Sequence, residues 1–322
     1  MTIRNRSLVN LLCLAAPLAF AQQGRVEGPV AGYVFDGGSQ ALRPVLGIPG
    51  ASVLGDPVNL GTALASGAVS PRLDSVLAVA TDGTFHLYAL NAGSASEVPV
   101  NGVPFVPERI VFSPTGSAAA LYGGGRIQVV TGLPGAPKPG NNFDISALLT
   151  LPAGRGHQTL TGSFAVADDG AYVLVSAGSG VHLFGAGAAK QLLAARGAAV
   201  AFAPGTHDAA IAAASVMLVK DVGGAATQQL IAADGPGPST VGAAFSADSS
   251  KLFVAAAAGQ GVTAFDLTAG TSSAIRCDCT PAGITSMGNL YRLNEVGSAP
   301  LWLLDTTATG PRIVFVPAKG AE

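Results

Sequence analysis

One pattern recurs along the chain and limits what it can fold into: a polar turn, an apolar strand, a glycine-rich turn and a second alternating strand. The clearest copy is Phe245–Thr268, FSADSSKLFVAAAAGQGVTAFDLT. Weaker copies begin at Val69, Phe112, Val166 and Phe202. Strand-rich repeats of about 40–45 residues are typical of the four-stranded blades of β-propellers.

The repeat count predicts an all-β chain with seven four-stranded blades. Five blades follow from the repeated segments, and the flanking stretches Val30–Gly61 and Ile284–Pro317 each hold about one blade of strand-like sequence. Six or eight blades would also fit. Two β-sandwiches are an alternative architecture, but they would not explain the repetition. The segment Gln191–Arg196 (QLLAAR) is compatible with one helical turn.

The ends of the array must be joined, because open strand edges promote aggregation. We therefore expect a shared blade, in which an N-terminal strand around Tyr33 pairs beside strands from the C-terminus. This predicts a propeller domain over residues 30–318, between an N-terminal tail at residues 22–29 and a C-terminal tail at residues 319–322.

The first 21 residues have the pattern of an export signal. Arg4 and Arg6 precede the apolar run Leu8–Phe20, and Ala19 and Ala21 are small residues at the −3 and −1 positions of a cleavage site. A membrane anchor is the alternative, but the run is shorter than the ~20 residues that a spanning helix needs. We expect a protein exported to the periplasm or outside the cell, with no membrane span after the signal is removed.

Charge is scarce, and this limits the partners. Only 11% of the 322 residues are charged, the formal net charge is −2, and there is no run of Lys or Arg. Nucleic acids and anionic membrane surfaces attract basic patches, so neither is expected as a partner. Hydrophobic residues make up 49% of the chain and there are 43 glycines, a composition that suits closely packed sheets.

Two cysteines remain after the predicted signal, Cys277 and Cys279. In an extended strand their Cα atoms would lie near the upper limit for a disulfide, but a turn at Thr280-Pro281 could bring them together. Export makes oxidation plausible. Free thiols and a metal site are the alternatives; two thiolates supply only half of a zinc shell.

The repeat resembles the YVTN family of bacterial β-propellers. In the copy at Phe245, Ser246–Ser249 corresponds to the family's Ser-Pro-Asp-Gly turn, Lys251–Ala255 to its first strand and Val262–Asp266 to its last. The resemblance covers roughly Tyr33 to Pro317 and implies a secreted propeller. Similar propellers serve as surface proteins, lactonases, lyases and dehydrogenases, so the resemblance does not choose an activity.

No motif assigns catalytic, cofactor-binding or metal-binding residues. His86 and His182 occupy the same place in their repeats, which suggests either a shared metal shell or a tolerant strand position, and we favour the second. His157 and His207 lie in a loop and a turn. Asp168 and Asp169 precede a glycine, as turn residues commonly do.

We therefore expect a secreted, non-catalytic, monomeric propeller that presents loops to a protein or a small ligand. The longest candidate loops are Asn91–Pro107, Gly132–Gly156 and Gly270–Gly283, and the candidate contact residues are Asn101, Asn141, Asn142 and His157. The first alternative is an enzyme of lactonase or lyase type, with polar residues at the mouth of the central channel. The second is a structural part of an exported assembly.

Overall fold

A computed structural model describes residues 28–91, 94–149, 160–235, 239–258 and 261–318. The regular structure of the described chain is almost entirely strand, with one 3-10 turn at Ser146–Leu148. The strands are β1 (Val30–Asp36), β2 (Ala41–Ile48), β3 (Ala51–Leu54), β4 (Leu64–Val69), β5 (Ser75–Ala80), β6 (Phe85–Asn91), β7 (Ser94–Val98), β8 (Arg109–Phe112), β9 (Ala118–Gly123), β10 (Arg126–Thr131), β11 (Lys138–Asp144), β12 (Phe164–Val166), β13 (Val173–Ala177), β14 (Gly180–Phe184), β15 (Lys190–Leu193), β16 (Ala199–Phe202), β17 (Ala209–Ala212), β18 (Val216–Lys220), β19 (Thr227–Ala232), β20 (Thr240–Phe245), β21 (Lys251–Ala256), β22 (Gly261–Asp266), β23 (Thr271–Ile275), β24 (Thr285–Met287), β25 (Leu290–Arg292), β26 (Leu301–Asp305) and β27 (Arg312–Val316).

These strands form seven antiparallel sheets, and the predicted seven-bladed β-propeller is confirmed. In chain order, blade 1 is β1–β3, and blades 2 to 7 are β4–β7, β8–β11, β12–β15, β16–β19, β20–β23 and β24–β27. Within each sheet the spatial order follows the chain. Blade 1 differs from the prediction, because the described residues give it three strands. No helix in the described ranges is long and apolar enough to cross a membrane.

The repeated sequence forms each blade through a short turn and a buried strand. In blade 6 the Asp248 carboxylate accepts hydrogen bonds from the Ser246 hydroxyl (2.6 Å) and the Ser250 backbone N–H (3.0 Å). These bonds lower the pKa of Asp248 to about 2. They hold the turn in which Ser249 adopts a positive φ of 59°. The next strand, β21, is buried from its second residue to its last.

Neighbouring blades pack face to face through small and branched side chains. Between blades 4 and 5, Leu174 and Ile211 are fully buried beside Phe202 and several alanines. In blade 3, every residue of β9 (AAALYG) is buried, so this strand packs on both of its faces. Stacked sheets lie about 10 Å apart, and alanine permits this approach where larger side chains would separate the blades.

The propeller has two faces, which we name by their connections. On the turn face, the first strand of a blade turns into the second, as at Ser70–Asp74 between β4 and β5. On the linker face, one blade leads into the next, and the second strand turns into the third. Each innermost strand of blades 2 to 7 therefore runs from the linker face to the turn face.

Among the described residues, blade 1 has no innermost strand. The turn between β1 and β2 lies on the linker face, because the Gln40 carbonyl there accepts a hydrogen bond (2.8 Å) from the N–H of Leu64, where β4 begins. The turn between β2 and β3 lies on the other face, beside Arg312 at the start of β27 (Arg312 Nη2 to Pro49 O, 3.5 Å). Strand β1 therefore has the position that the second strand has in the other blades.

The ring closes by side-chain packing around this gap. The innermost strands of blades 7 and 2 meet on the turn face, where the Gly288 N–H donates to the Pro71 carbonyl (2.9 Å). Leu73 packs against the apolar clusters on both sides of blade 1. The side chain of Met287 lies directly over Gly32 of β1, so a Cβ at that position would require Met287 to move.

One sequence prediction is wrong, and one segment compatible with a helical turn contributes to a strand. Tyr33 does not pair beside C-terminal strands, because it lies opposite Pro44 within blade 1 and blade 7 has four strands of its own. Among the described residues, an isolated parallel β-bridge between Asp36 and Val296 pairs the backbones of the two ends of the array. Gln191–Arg196 does not form a helical turn, because its first residues pair with β14 as strand β15.

Two buried carboxylates stabilise the blades on either side of the closure. Asp36 accepts from Arg43 (3.2 Å) in blade 1, and Asp305 accepts from Arg312 (2.9 Å) in blade 7. Burial alone would raise both pKa values, but hydrogen bonds outweigh it and lower them. The donors are Ser39 and Arg43 for Asp36, and Thr307 and Arg312 for Asp305.

We predict that acid weakens this closure. A lowered carboxyl pKa adds stability above the ordinary pKa of Asp, 3.8, and that stability is lost as the pH falls through the folded-state value. Urea unfolding at pH 7 and at about pH 3 measures the loss. At pH 7 the unfolding free energy of Asp36→Asn should be lower than that of wild type. Between pH 7 and about pH 3 it should fall by less than that of wild type. Asp234→Asn, which removes an exposed carboxylate, is the control; an unchanged acid loss in Asp36→Asn would contradict the prediction.

A second prediction concerns Asp168, whose carboxylate joins three blades on the turn face. Its Oδ1 accepts from the N–H and hydroxyl of Thr115 in blade 3 (2.8 and 2.6 Å), and its Oδ2 accepts from the N–H of Gly205 in blade 5 (2.7 Å). Asp168→Asn should cost about 2 kcal/mol in urea unfolding, because an amide N–H₂ would then face a donor. Asp144→Asn is the control, since Asp144 accepts only from Ser146 in the described chain. Equal losses in the two variants would contradict a role in joining blades.

A third prediction concerns the cysteines, which lie after β23. The structure joins Cys277 and Cys279, with Cα atoms 5.1 Å apart. We predict that the mature chain, unfolded without reductant, titrates no free thiol. The double change to serine should lower the unfolding free energy by less than about 2 kcal/mol, because the bond closes a very short loop. Two titrated thiols would contradict the pairing.

Candidate functional site

A cavity of about 480 Å³ lies on the axis of the propeller. The innermost strands of blades 2 to 7 all contribute to its wall. The wall includes Arg109, at the linker-face end of β8, and Pro114, in the turn that follows β8 on the turn face. These two residues are separated by roughly 17 Å of extended chain. The cavity therefore follows the central channel through the ring.

Small apolar side chains make the cavity. The innermost strands read LASGAV in blade 2, AVAF in blade 5 and TVGAAF in blade 6. Phe202 and Phe245 at the ends of these strands also line the wall, and the small residues that precede them leave space on the axis. The alanines in the wall are Ala68, Ala165, Ala199, Ala201, Ala243, Ala244, Ala247 and Ala282.

Three charged residues lie in the described wall: Arg109, Arg292 and Glu295. Arg292 and Glu295 form an ion pair (2.7 Å). Arg109 has no ion pair with any described residue, so the described wall carries one uncompensated positive charge.

Arg109 is held in place by neutral groups. Its Nη1 donates to the carbonyls of Leu160 (3.1 Å) and Gly162 (2.7 Å), and its guanidinium lies 5.0 Å from the ring centre of Phe164. Arg109 is an exposed residue, but desolvation of its guanidinium by the neighbouring groups lowers its pKa, and the charge interaction with Tyr122 opposes that shift. The guanidinium stays protonated at neutral pH, as arginine does in proteins.

Several other polar groups in the wall are already used within the protein. The Tyr291 hydroxyl donates to the Phe245 carbonyl (2.9 Å), and burial raises the pKa of Tyr291 to about 12. The Ser163 hydroxyl donates to the Ala198 carbonyl (2.8 Å). Asn294 uses both ends of its amide, donating to Pro300 and accepting from Trp302. These bonds fix the rim, and Arg292 pairs with Glu295, so Arg109 is the charged side chain of the described wall best placed to meet a ligand.

The described histidines lie on three different blades and outside the cavity wall. His86 in β6 lies between the Thr84 hydroxyl (2.6 Å) and Glu97 (2.7 Å). His182 in β14 contacts the Ser179 hydroxyl (2.9 Å), and burial lowers its pKa. His207 pairs with Asp169 (2.8 Å) on the turn face. His157 lies outside the described residues.

The predicted contact loops hold more strand than expected. Gly132–Gly156 contains β11, so Asn141 and Asn142 lie in an outer strand, and the Asn142 amide donates to the Gln128 side chain (2.8 Å). Gly270–Gly283 contains β23. Asn101 is exposed in the link between β7 and β8. None of these three asparagines belongs to the described cavity wall.

Sequence reasoning missed Arg109 and the alanine wall. Arg109 could have been found from its position. It begins the strand RIVF directly before the repeat turn SPTG, and the first strand of a repeat is the innermost strand of its blade. Across the described ranges, His, Cys, Asp and Glu form no group of three or more that could hold a metal ion.

Comparison with known proteins adds to the description of the fold. No protein-family model matches the sequence, and no curated protein matches it. A functionally unknown protein from Desulfotomaculum acetoxidans DSM 771 is similar in structure, with a TM-score of 0.56, 14% identity, and coverage of 89% of this chain and 99% of that one. A protein from Lactobacillus plantarum has a TM-score of 0.58 and 15% identity, covering 89% and 95% respectively. These likenesses support the propeller fold alone.

Proposed function

We propose that this protein is an exported binding propeller that takes a small, largely apolar ligand in its central cavity. The observation that carries the proposal is the open, alanine-lined cavity of about 480 Å³. Ligand sites are typically mostly apolar clefts of about 300–1,000 Å³ with a few well-placed polar groups.

The wall is suited to binding because its parts are held by neighbouring blades. Asp168 links the turns of three blades on one face, and Ser163 links blade 4 to the start of blade 5 on the other. A site built on such braced strands loses little conformational freedom when a ligand binds, which favours affinity.

Export and membership of the YVTN family are part of the proposal. The signal-like segment at residues 1–21 and the repeat at Phe245–Thr268 support them. A lactonase or lyase activity at the channel mouth has less support, because the described histidines lie away from the cavity wall. A protein partner that binds the loops would leave the cavity unused, and the experiment below separates the two.

We predict that 1-anilinonaphthalene, a neutral fluorescent probe, binds saturably at one site and that Ala243→Leu weakens this binding at least tenfold. Ala243 lies in β20 on the cavity wall, so the added side chain takes space from the ligand. Fluorescence titration of the mature protein measures the affinity.

The matched control is Ala274→Leu, the same substitution at an exposed position of the outer strand β23 in the same blade. It should bind the probe like wild type. Equal affinity in wild type and in a folded Ala243→Leu protein would contradict a ligand site in the cavity and favour contact through the loops.

A further inference from the structure

The charge of the cavity wall specifies a class of ligand. The wall is apolar, and its described charges sum to one positive charge once Arg292 and Glu295 are paired. That excess charge belongs to Arg109, at the linker-face end of β8. Arg109 lies exposed at the rim of the cavity with no ion-pair partner among the described residues, so an anion that binds beside it meets a charge that the described wall leaves uncompensated.

The guanidinium is only partly used by the protein. Both hydrogen bonds of Arg109 leave from Nη1, to Leu160 and Gly162. Within the described chain, Nε and Nη2 have no acceptor. The neighbouring acid, Glu108, accepts instead from the N–H of Gly124 (3.1 Å).

The two remaining nitrogens form one edge of the guanidinium fork. Such an edge matches the two oxygens of a carboxylate, which is why arginine binds carboxylates in a bidentate way. The contact with Phe164 and the two carbonyls fix the plane of the fork before a ligand arrives. The apolar body of the ligand would then lie along the alanine wall.

We infer that the cavity binds a small monocarboxylate with an apolar body, whose carboxylate pairs with Arg109. This inference rests on the proposed function, since it needs a ligand in the cavity. It deepens that function by naming the ligand class.

The test compares two competitors that differ only at one end, 4-phenylbutyrate and 4-phenylbutanol. Each displaces 1-anilinonaphthalene from the mature protein at neutral pH. In wild type, the carboxylate should compete about tenfold better than the alcohol. In Arg109→Gln the two should compete equally, and Arg109→Lys, which keeps the charge but loses the fork, should lie between.

Arg126→Gln is the matched control, because Arg126 is an exposed arginine of the same blade and lies outside the described cavity wall. It should keep the wild-type preference. If a change at Arg109 disturbs the segment of Leu160 and Gly162, the affinity of the variant for the probe will change. The preference of the wild-type protein for the acid over the alcohol tests the inference without any variant.

The outcomes separate the two proposals. Equal competition by the acid and the alcohol in wild type, or a preference that survives Arg109→Gln, overturns the carboxylate inference while the cavity remains a ligand site. Failure of the probe to bind wild type at all overturns the proposed function, and the inference with it.

Discussion

The whole structure depends on how closely one sheet can lie against the next around a common axis. Strands such as β9, with the sequence AAALYG, are buried at every position, because a blade of the ring has neighbours on both faces. Alanine, glycine and valine allow this contact, and charged groups cannot take part in it without a partner. Charge is therefore confined mainly to turns and rims, which accounts for a chain with only 11% charged residues.

In the part of the chain that the structure describes, blades 7 and 2 meet on the turn face across the inner edge of blade 1. Six innermost strands of the described chain surround the axis, and those of blades 7 and 2 meet where Gly288 contacts Pro71. Leu73 adopts a positive φ of 62° there and packs against apolar clusters on both sides. This meeting point is thus sealed by apolar side chains, while Asp36 and Asp305 stabilise the turns beside it.

The sequence predicted the fold well where the pattern was local. Alternating apolar residues between polar turns locate the strands of blade 6 and, by repetition, most of the others. The three-stranded form that blade 1 takes among the described residues could not be predicted this way, because GYVFD suits a second strand as well as a first. The contact of Gln40 with Leu64 shows which face the turn between β1 and β2 occupies.

The remaining differences come from long-range pairing overriding local sequence. Gln191–Arg196 has good helix formers, yet β14 offers an edge to pair with, and the chain follows that edge as β15. The segment KPGNNFD lacks a strand pattern because β11 is the outermost strand of its blade and is almost wholly exposed. An outermost strand hydrogen-bonds to a neighbour along one edge and buries few side chains. Its sequence therefore does not need the alternating apolar pattern from which strands are predicted.

The candidate site was hidden for a related reason. A cavity on a propeller axis forms where the innermost strands carry small side chains. In the sequence, these small residues cannot be distinguished from the small residues that pack between blades. Arg109 is a single cation with no motif around it, and its significance appears only when the ring shows that no described carboxylate is its partner. In a chain with so little charge, one cation without an ion-pair partner among the described residues is the net charge of the described cavity wall.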